Sequence, residues 1–242
     1  MNRYSRTAAV AGAVAAGVLA LPGPTAAARD GGLWGAATIA PGREGIVEVA
    51  GVRHAVEGAT LTLTAPRGTR VTGTPLDVPG YRGSVAADGR SATYTVTGDA
   101  PGQERVFPFV LAVPGDAVPG TRLRDCSLRV THARGVPRAV GRCAVTVGLA
   151  GPTLTRPLSG VPLAARPVIS GTAHPGARVT VRDKDDREAC ATTTAPDGTW
   201  TCTPGPGLPA GANRLQAVAA LNGVSAMSEQ IDISVTEAGA GQ

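Results

Sequence analysis

Three histidines, four cysteines and one short run of aspartates are the side chains of this 242-residue chain best suited to chemistry. A Ser–His–acid hydrolase needs a nucleophile, a base and an orienting acid in one cleft. His54, His132 and His174 fall at a strand end or in turns, no G-x-S-x-G surrounds any serine, and solvated surface positions account for all three. Neither H-E-x-x-H nor paired C-x-x-C occurs, so a zinc site is not expected. Paired carboxylates for glycoside hydrolysis need a wide cleft, whereas the acids here sit mostly in turns. Asp183, Asp185 and Asp186 form a D-x-D-D run, the one candidate for Ca²⁺, which extracellular loops hold weakly. Arg182, Lys184 and Arg187 interleave with it and partly neutralise it, which points to a solvated loop. No cofactor and no catalytic residue are expected.

Basic residues form the most distinctive surface signal. Residues 122–142 hold arginines at 122, 124, 129, 134, 138 and 142 against one acid, Asp125. If the segment is a hairpin with Cys126, Leu128, Val130 and Cys143 facing inward, then Arg129, Arg138 and Arg142 face outward and Arg134 sits at the tip. Such a face attracts a cell-wall polymer or other anionic polysaccharide. The alternative is an ordinary charged strand face, since arginine is the chain's common cation and Lys184 its single lysine. The whole chain carries a net charge of +5, too mild to imply a specific nucleic-acid partner.

The elements that must position these groups are strands. Gly and Pro number 33 and 20 and punctuate alternating apolar runs, the composition of turn-rich β-structure. Val47/Val49, Leu61/Leu63/Ala65, Tyr94/Val96, Phe107/Phe109/Leu111/Val113, Cys126/Leu128/Val130 and Cys143/Val145/Val147/Leu149 each keep a period of two. A first β-sandwich domain is expected over 33–149. Pro152, Pro157 and Pro162 then mark 150–166 as a stiff, extended linker, within which Leu154 and Leu158 are placed to add a first edge strand to the second domain. Short strands with regular turns predict a second sandwich over 167–236, with Leu215/Ala217/Ala219 and Ile231/Ile233/Val235 inward. Residues 237–242 read as a disordered tail.

Residues 1–28 read as a secretory signal peptide. Arg3 and Arg6 precede an apolar Ala8–Leu21 run, and Ala26-Ala27-Ala28 offers a small-residue cleavage site. The run is too short for a spanning helix. After cleavage the chain is expected to be released, with no membrane attachment. Export makes two disulfides the expected use of the four cysteines, with three connectivities open in principle. Cys126 and Cys143 lie symmetrically about Arg134-Gly135, so a two-residue turn there sets them face to face at about 4.5 Å between Cα atoms. Cys190 and Cys202 flank Pro196-Asp197-Gly198 less symmetrically, and a bulge or a turn centred on Pro196 is needed to align them as hairpin neighbours.

Residues 167–181 and 197–200 read P-x-I-x-G-T-A-x-P-G-A-x-V-T-V and D-G-T-W. This wording resembles the bacterial Ig-like repeats of secreted and surface proteins. The resemblance implies an Ig-like sandwich for 167–236, a cysteine pair at the places of Cys190 and Cys202, a buried Trp200 in place of a sugar-stacking platform, and a variable turn position for His174. Leu208-Pro209-Ala210-Gly211 departs from the repeats' L-x-D-G turn by lacking the acid, which removes the expectation of a metal there. Val113–Thr121 resembles a turn of secreted bacterial Ig-like and fibronectin-like sandwiches. Together these readings imply an all-β protein of two tandem antiparallel sandwiches, secreted and non-enzymatic, for extracellular binding, adhesion or spacing against a polymer or another extracellular protein. The alternative is a secreted enzyme or enzyme inhibitor with its site in the N-terminal domain.

Overall fold

In a computed structural model, residues 32–52, 56–98 and 105–236 are described. The expected signal peptide, His54 and the tail 237–242 lie outside them. Among the described residues every regular element is a strand. The first ten are β1 (Trp34–Ile39), β2 (Glu44–Val52), β3 (Thr60–Thr64), β4 (Arg70–Gly73), β5 (Tyr81–Val85), β6 (Ser91–Val96), β7 (Arg105–Ala112), β8 (Arg122–Leu123), β9 (Ser127–Thr131) and β10 (Pro137–Val147). They form one hydrogen-bonded sheet in the order β4-β7-β2-β1-β10-β9-β3-β6-β5, with β8 also on β10. That sheet folds on itself around a single core.

Period-two alternation builds this core as the sequence predicts. Leu61 and Leu63, Tyr94 and Val96, Phe107, Phe109 and Leu111, Leu128 and Val130, and Val145 and Val147 are all buried. Both phenylalanines of the chain and two of its tyrosines meet in it. Ring centroids lie 5.0 Å apart for Tyr94–Phe109, 5.4 Å for Tyr94–Phe107 and 5.3 Å for Tyr81–Phe107, with edge or tilted geometry that favours aromatic pairs. The Tyr94 hydroxyl donates to the Pro108 carbonyl at 2.7 Å and accepts from the Leu76 amide at 3.0 Å, so its one polar atom is satisfied inside.

The remaining strands are β11 (Pro162–Leu163), β12 (Ile169–Thr172), β13 (Arg178–Arg182), β14 (Glu188–Thr193), β15 (Thr199–Cys202), β16 (Gly211–Leu221), β17 (Val224–Met227) and β18 (Ile231–Val235). Here the layers are separate sheets. One has the order β11-β18-β16-β13-β14 with β17 on β16, and the other is the pair β12–β15. Ile169, Val179, Val181, Trp200, Leu215 and Ile233 fill the second core between them.

Three features differ from the sequence reading. The sheets are mixed, since β1 runs parallel to β10 and β11 parallel to β18. The first and last strands of each unit are joined by the whole intervening chain, so no tight turn forces them antiparallel. Leu149, placed in the first domain by its phase with Cys143, packs in the second core instead, because β10 ends at Val147. Segment 150–166 is not a free-standing linker. Thr153, Thr155 and Arg156 bond backbone to backbone with Ser170 and Thr172, and Leu163 reaches β18. Polyproline-like spacing signals extended chain, and an extended chain beside an open strand edge is taken up by it.

A side-chain hydrogen bond links the two units. In the turn between β16 and β17 the Asn222 side-chain amide donates to the Pro119 carbonyl at 3.1 Å. Gly120, at φ +84°, lies against the Asn222 backbone so closely that a Cβ there would collide with its carbonyl oxygen.

Candidate functional site

The arginine segment folds as the hairpin β9–β10, with a loop one residue longer than symmetry implies. His132 and Val136 close it through the Val136 carbonyl at 2.9 Å, leaving Ala133, Arg134 and Gly135 as a three-residue tip. Gly135 takes φ +77°, the left-handed conformation such loops require at their last position. The register then slips once between Pro137 and Ala139, at Arg138. This bulge cancels the extra loop residue. Beyond it Gly141 faces Leu128 and Arg142 faces Ser127, which brings Cys143 opposite Cys126. Their Cα atoms stand 5.2 Å apart and the disulfide forms. The expected two-residue turn is therefore corrected to a three-residue loop plus bulge, while the pairing stands.

Cys190 and Cys202 are also bridged, with Cα atoms 6.0 Å apart, but not as hairpin neighbours. Cys190 on β14 pairs with Val181 of β13, and Cys202 on β15 pairs with Ile169 of β12. The turn through Pro196-Asp197-Gly198 carries the chain from one sheet to the other, so the bridge joins two layers. No bulge between β14 and β15 is needed because these strands share no ladder.

Alternation on the hairpin sets the charges. Leu128, Val130, Cys143 and Val145 are buried, while Arg129, Arg134, Arg138 and Arg142 are exposed, as is His132 near the tip. Val136 and Val140, at 57% and 69% exposure, share this surface. An open depression of about 580 Å³ lies at the bridge end, lined by Asp125, Cys126, Ser127, Val140, Gly141 and Arg142. Asp125, the segment's one acid, holds φ +67° and pairs with the exposed Arg67 at 2.7 Å. Its charge is thus matched locally.

The other candidates are scattered. The Asp183 carboxylate accepts the backbone amides of Asp185 and Arg187, each at 2.9 Å, and so closes its own loop. Asn213 accepts the Lys184 amide at 3.1 Å, and Arg182 donates to the Asp186 carbonyl at 2.9 Å. Asp183, Asp185 and Asp186 do not converge, and no group of three His, Cys, Asp or Glu placed to hold a metal occurs among the described residues. His174 Nδ1 lies 2.9 Å from the Pro175 carbonyl in its turn, in the other unit from His132. Trp200 is buried, at 3% exposure, in the second core. Two shifted groups among the described residues serve the fold. Burial pushes the Tyr94 phenol up, opposed by the Leu76 amide. Hydrogen bonds from the Thr199 amide and hydroxyl hold the exposed Asp197 carboxyl down. Both are positions of structural service.

What fold and site define is an all-β protein with an exposed basic hairpin. No protein-family model matches the chain, and no curated protein matches it. Among solved structures, the BSP domain of a biofilm-associated protein is 16% identical over 87% of this chain and 30% of its own, with a TM-score of 0.30. BcpA, the major pilin subunit of Bacillus cereus, is 12% identical over 84% of this chain and 64% of its own, with a TM-score of 0.33. The C-terminal domain of the Streptococcus agalactiae polypeptide BspA is 9% identical over 83% and 95%, with a TM-score of 0.28. The chain thus spans less than two thirds of the length of the first two. At these scores the likeness carries no functional argument, and the reading of function rests on the molecule's own surface.

Proposed function

We propose that this is a secreted, non-enzymatic, Ig-like protein that binds an anionic extracellular polymer through the β9–β10 hairpin, with the second unit acting as a spacer. The observation that carries this is the exposure of Arg129, Arg134, Arg138 and Arg142 on one hairpin without an acid in either strand. Export rests on the N-terminal sequence pattern, and N-terminal sequencing of the secreted protein is expected to begin near Arg29. The binding test is a pulldown of the mature protein on immobilised acidic polymers at two salt concentrations. Retention is expected at low salt and a steep fall towards physiological ionic strength, where exposed charges are screened beyond about 8 Å. Reversal of Arg129 and Arg142 to Glu is expected to abolish retention while changing stability by no more than about 0.5 kcal/mol, the usual range for exposed positions. Retention that ignores both salt and reversal overturns the proposal.

A further inference from the structure

The hairpin is one edge of a larger polar surface. Strands β5, β6, β3, β9 and β10 lie side by side, and their outward faces are open to solvent. No acid occurs in any of these five strands, which carry Arg82, Arg129, Arg138 and Arg142. Between the arginines the outward positions are hydroxyls. Register aligns Arg82, Thr95, Thr60 and Thr131 in one row across the sheet. The next row runs Ser84, Thr93, Thr62, Arg129 and Val140. A third ends on Arg142 beside Ser127 and Thr64.

The hydroxyls are organised by one another. Thr62 and Thr93 hydroxyls bond across the strands at 2.9 Å, and Thr60 bonds Thr131 in the same way. A hydroxyl has one donor and two acceptor positions, so each pair keeps unused capacity towards solvent. Side chains fixed in this way meet a ligand with little ordering cost. Five strands at the usual spacing span about 19 Å, an extended track and not an enclosed pocket.

We infer that this whole five-stranded face, and not the hairpin alone, is the docking surface for an extended uronic-acid polysaccharide lying across the strands. The inference rests on the polymer-binding reading above. Charge complementarity gives the sign of the partner, since Arg82, Arg129 and Arg142 stand exposed on strands that carry no acid. Arginine's planar fork matches a carboxylate with two parallel hydrogen bonds. The threonine rows match the hydroxyls of a sugar chain, and exposed Val140 offers an apolar contact to the C–H face of a ring. A partner that is only charged leaves the threonine rows unused.

The test is titration calorimetry of the full chain with polygalacturonate, polyphosphate and neutral dextran at low salt. Arg129→Glu, on β9 within the face, is expected to weaken polygalacturonate binding about tenfold, the order for a charged hydrogen bond. Arg82→Glu, on the edge strand farthest from the hairpin, is expected to weaken it about threefold through its exposed charge. Thr62→Val with Thr93→Val preserves shape and removes two hydroxyls; a loss of about threefold for polygalacturonate and none for polyphosphate is expected. Arg214→Glu, on an exposed position of the second unit, is the control and is expected to change nothing. Thermal melts confirm that each variant folds. If Arg82→Glu and the threonine pair leave affinity untouched while Arg129→Glu abolishes it, the hairpin binds alone and the inference fails, with polymer binding intact. Tighter binding of polyphosphate than polygalacturonate, insensitive to the threonine pair, overturns the sugar assignment. Binding to none of the three overturns both readings.

Discussion

The two disulfides close loops of similar reach, 17 and 12 residues apart in sequence, and hold entirely different things. Cys126–Cys143 staples strands that are already neighbours in a ladder. Cys190–Cys202 joins layers that share no ladder, since β14 and β15 belong to different sheets. The cores differ in the same sense. The first has a continuous sheet and four clustered aromatic rings, whereas the second has divided sheets and Trp200 as its aromatic. A covalent tie placed where hydrogen bonding is thinnest compensates for a smaller apolar payload.

The largest expected effect breaks the smaller core. Trp200→Ala is expected to cost about 3–5 kcal/mol by chemical denaturation, the range for a buried aromatic. Hydrogen exchange is expected to show lost protection in β12 to β18 and retained protection in β9 and β10. Loss in both units together would show that the cores are not separate. Next come the bridges. Double alanine replacement of either pair is expected to cost on the order of 3 kcal/mol in the chain-entropy model, whose loop-length dependence barely separates them. Exchange separates them instead. Without Cys190–Cys202 the β14 and β15 amides are expected to open sub-globally, and without Cys126–Cys143 the β9–β10 ladder is expected to stay closed. Equal local opening would erase the distinction.

The boundary can be sharpened by fragments. We expect one starting at Gly148 to melt cooperatively on its own and to be more stable than one starting at Thr153 by about 2 kcal/mol, the low end for loss of a core leucine, because Leu149 packs in the second core. Smaller still are the two titrations. Tyr94 has its folded pKa raised by burial, so its contribution is full below the unfolded value and is lost as pH rises past 10.0 towards the folded one. Tyr94→Phe is expected to flatten this alkaline decline in Tm while costing about 1–2 kcal/mol at neutral pH for two orphaned backbone groups. Asp197 is held down by Thr199, so its contribution is present above 3.8 and fades as pH falls below it. Asp197→Asn is expected to flatten only that acid limb.

The apolar half of each strand was legible because burial demands strict alternation, as Leu61, Leu63, Phe107, Phe109 and Leu215 show. The polar half was equally periodic, in Thr60-x-Thr62-x-Thr64 and Thr93-x-Thr95, but its meaning depends on which strands adjoin, and β3 acquires β9 as neighbour only through the fold. Cysteine spacing favoured local pairing, closely for Cys126 and Cys143 and less so for Cys190 and Cys202, without fixing whether a turn stays in one sheet. The bulge at Arg138 left no mark in the sequence, because two opposite one-residue errors cancel and the symmetric count still holds. The Asn222–Pro119 contact spans 103 residues, beyond any local pattern.

Parallel pairing of first and last strands has a mechanical consequence. Tension applied at the two chain ends draws β1 and β10 along each other in opposite directions, so their rungs from Trp34–Arg142 to Ile39–Val147 bear the load side by side and must fail together. In the second unit the corresponding clamp is shorter, the pairs Pro162–Ser234 and Leu163–Val235 flanked by backbone bonds from Gly160 to Asp232 and from Thr236 to Leu163. A tethered molecule under pull would therefore yield first at its far unit, and the stretch between Cys190 and Cys202, locked by its sulfur tie, would be withheld from the extending chain.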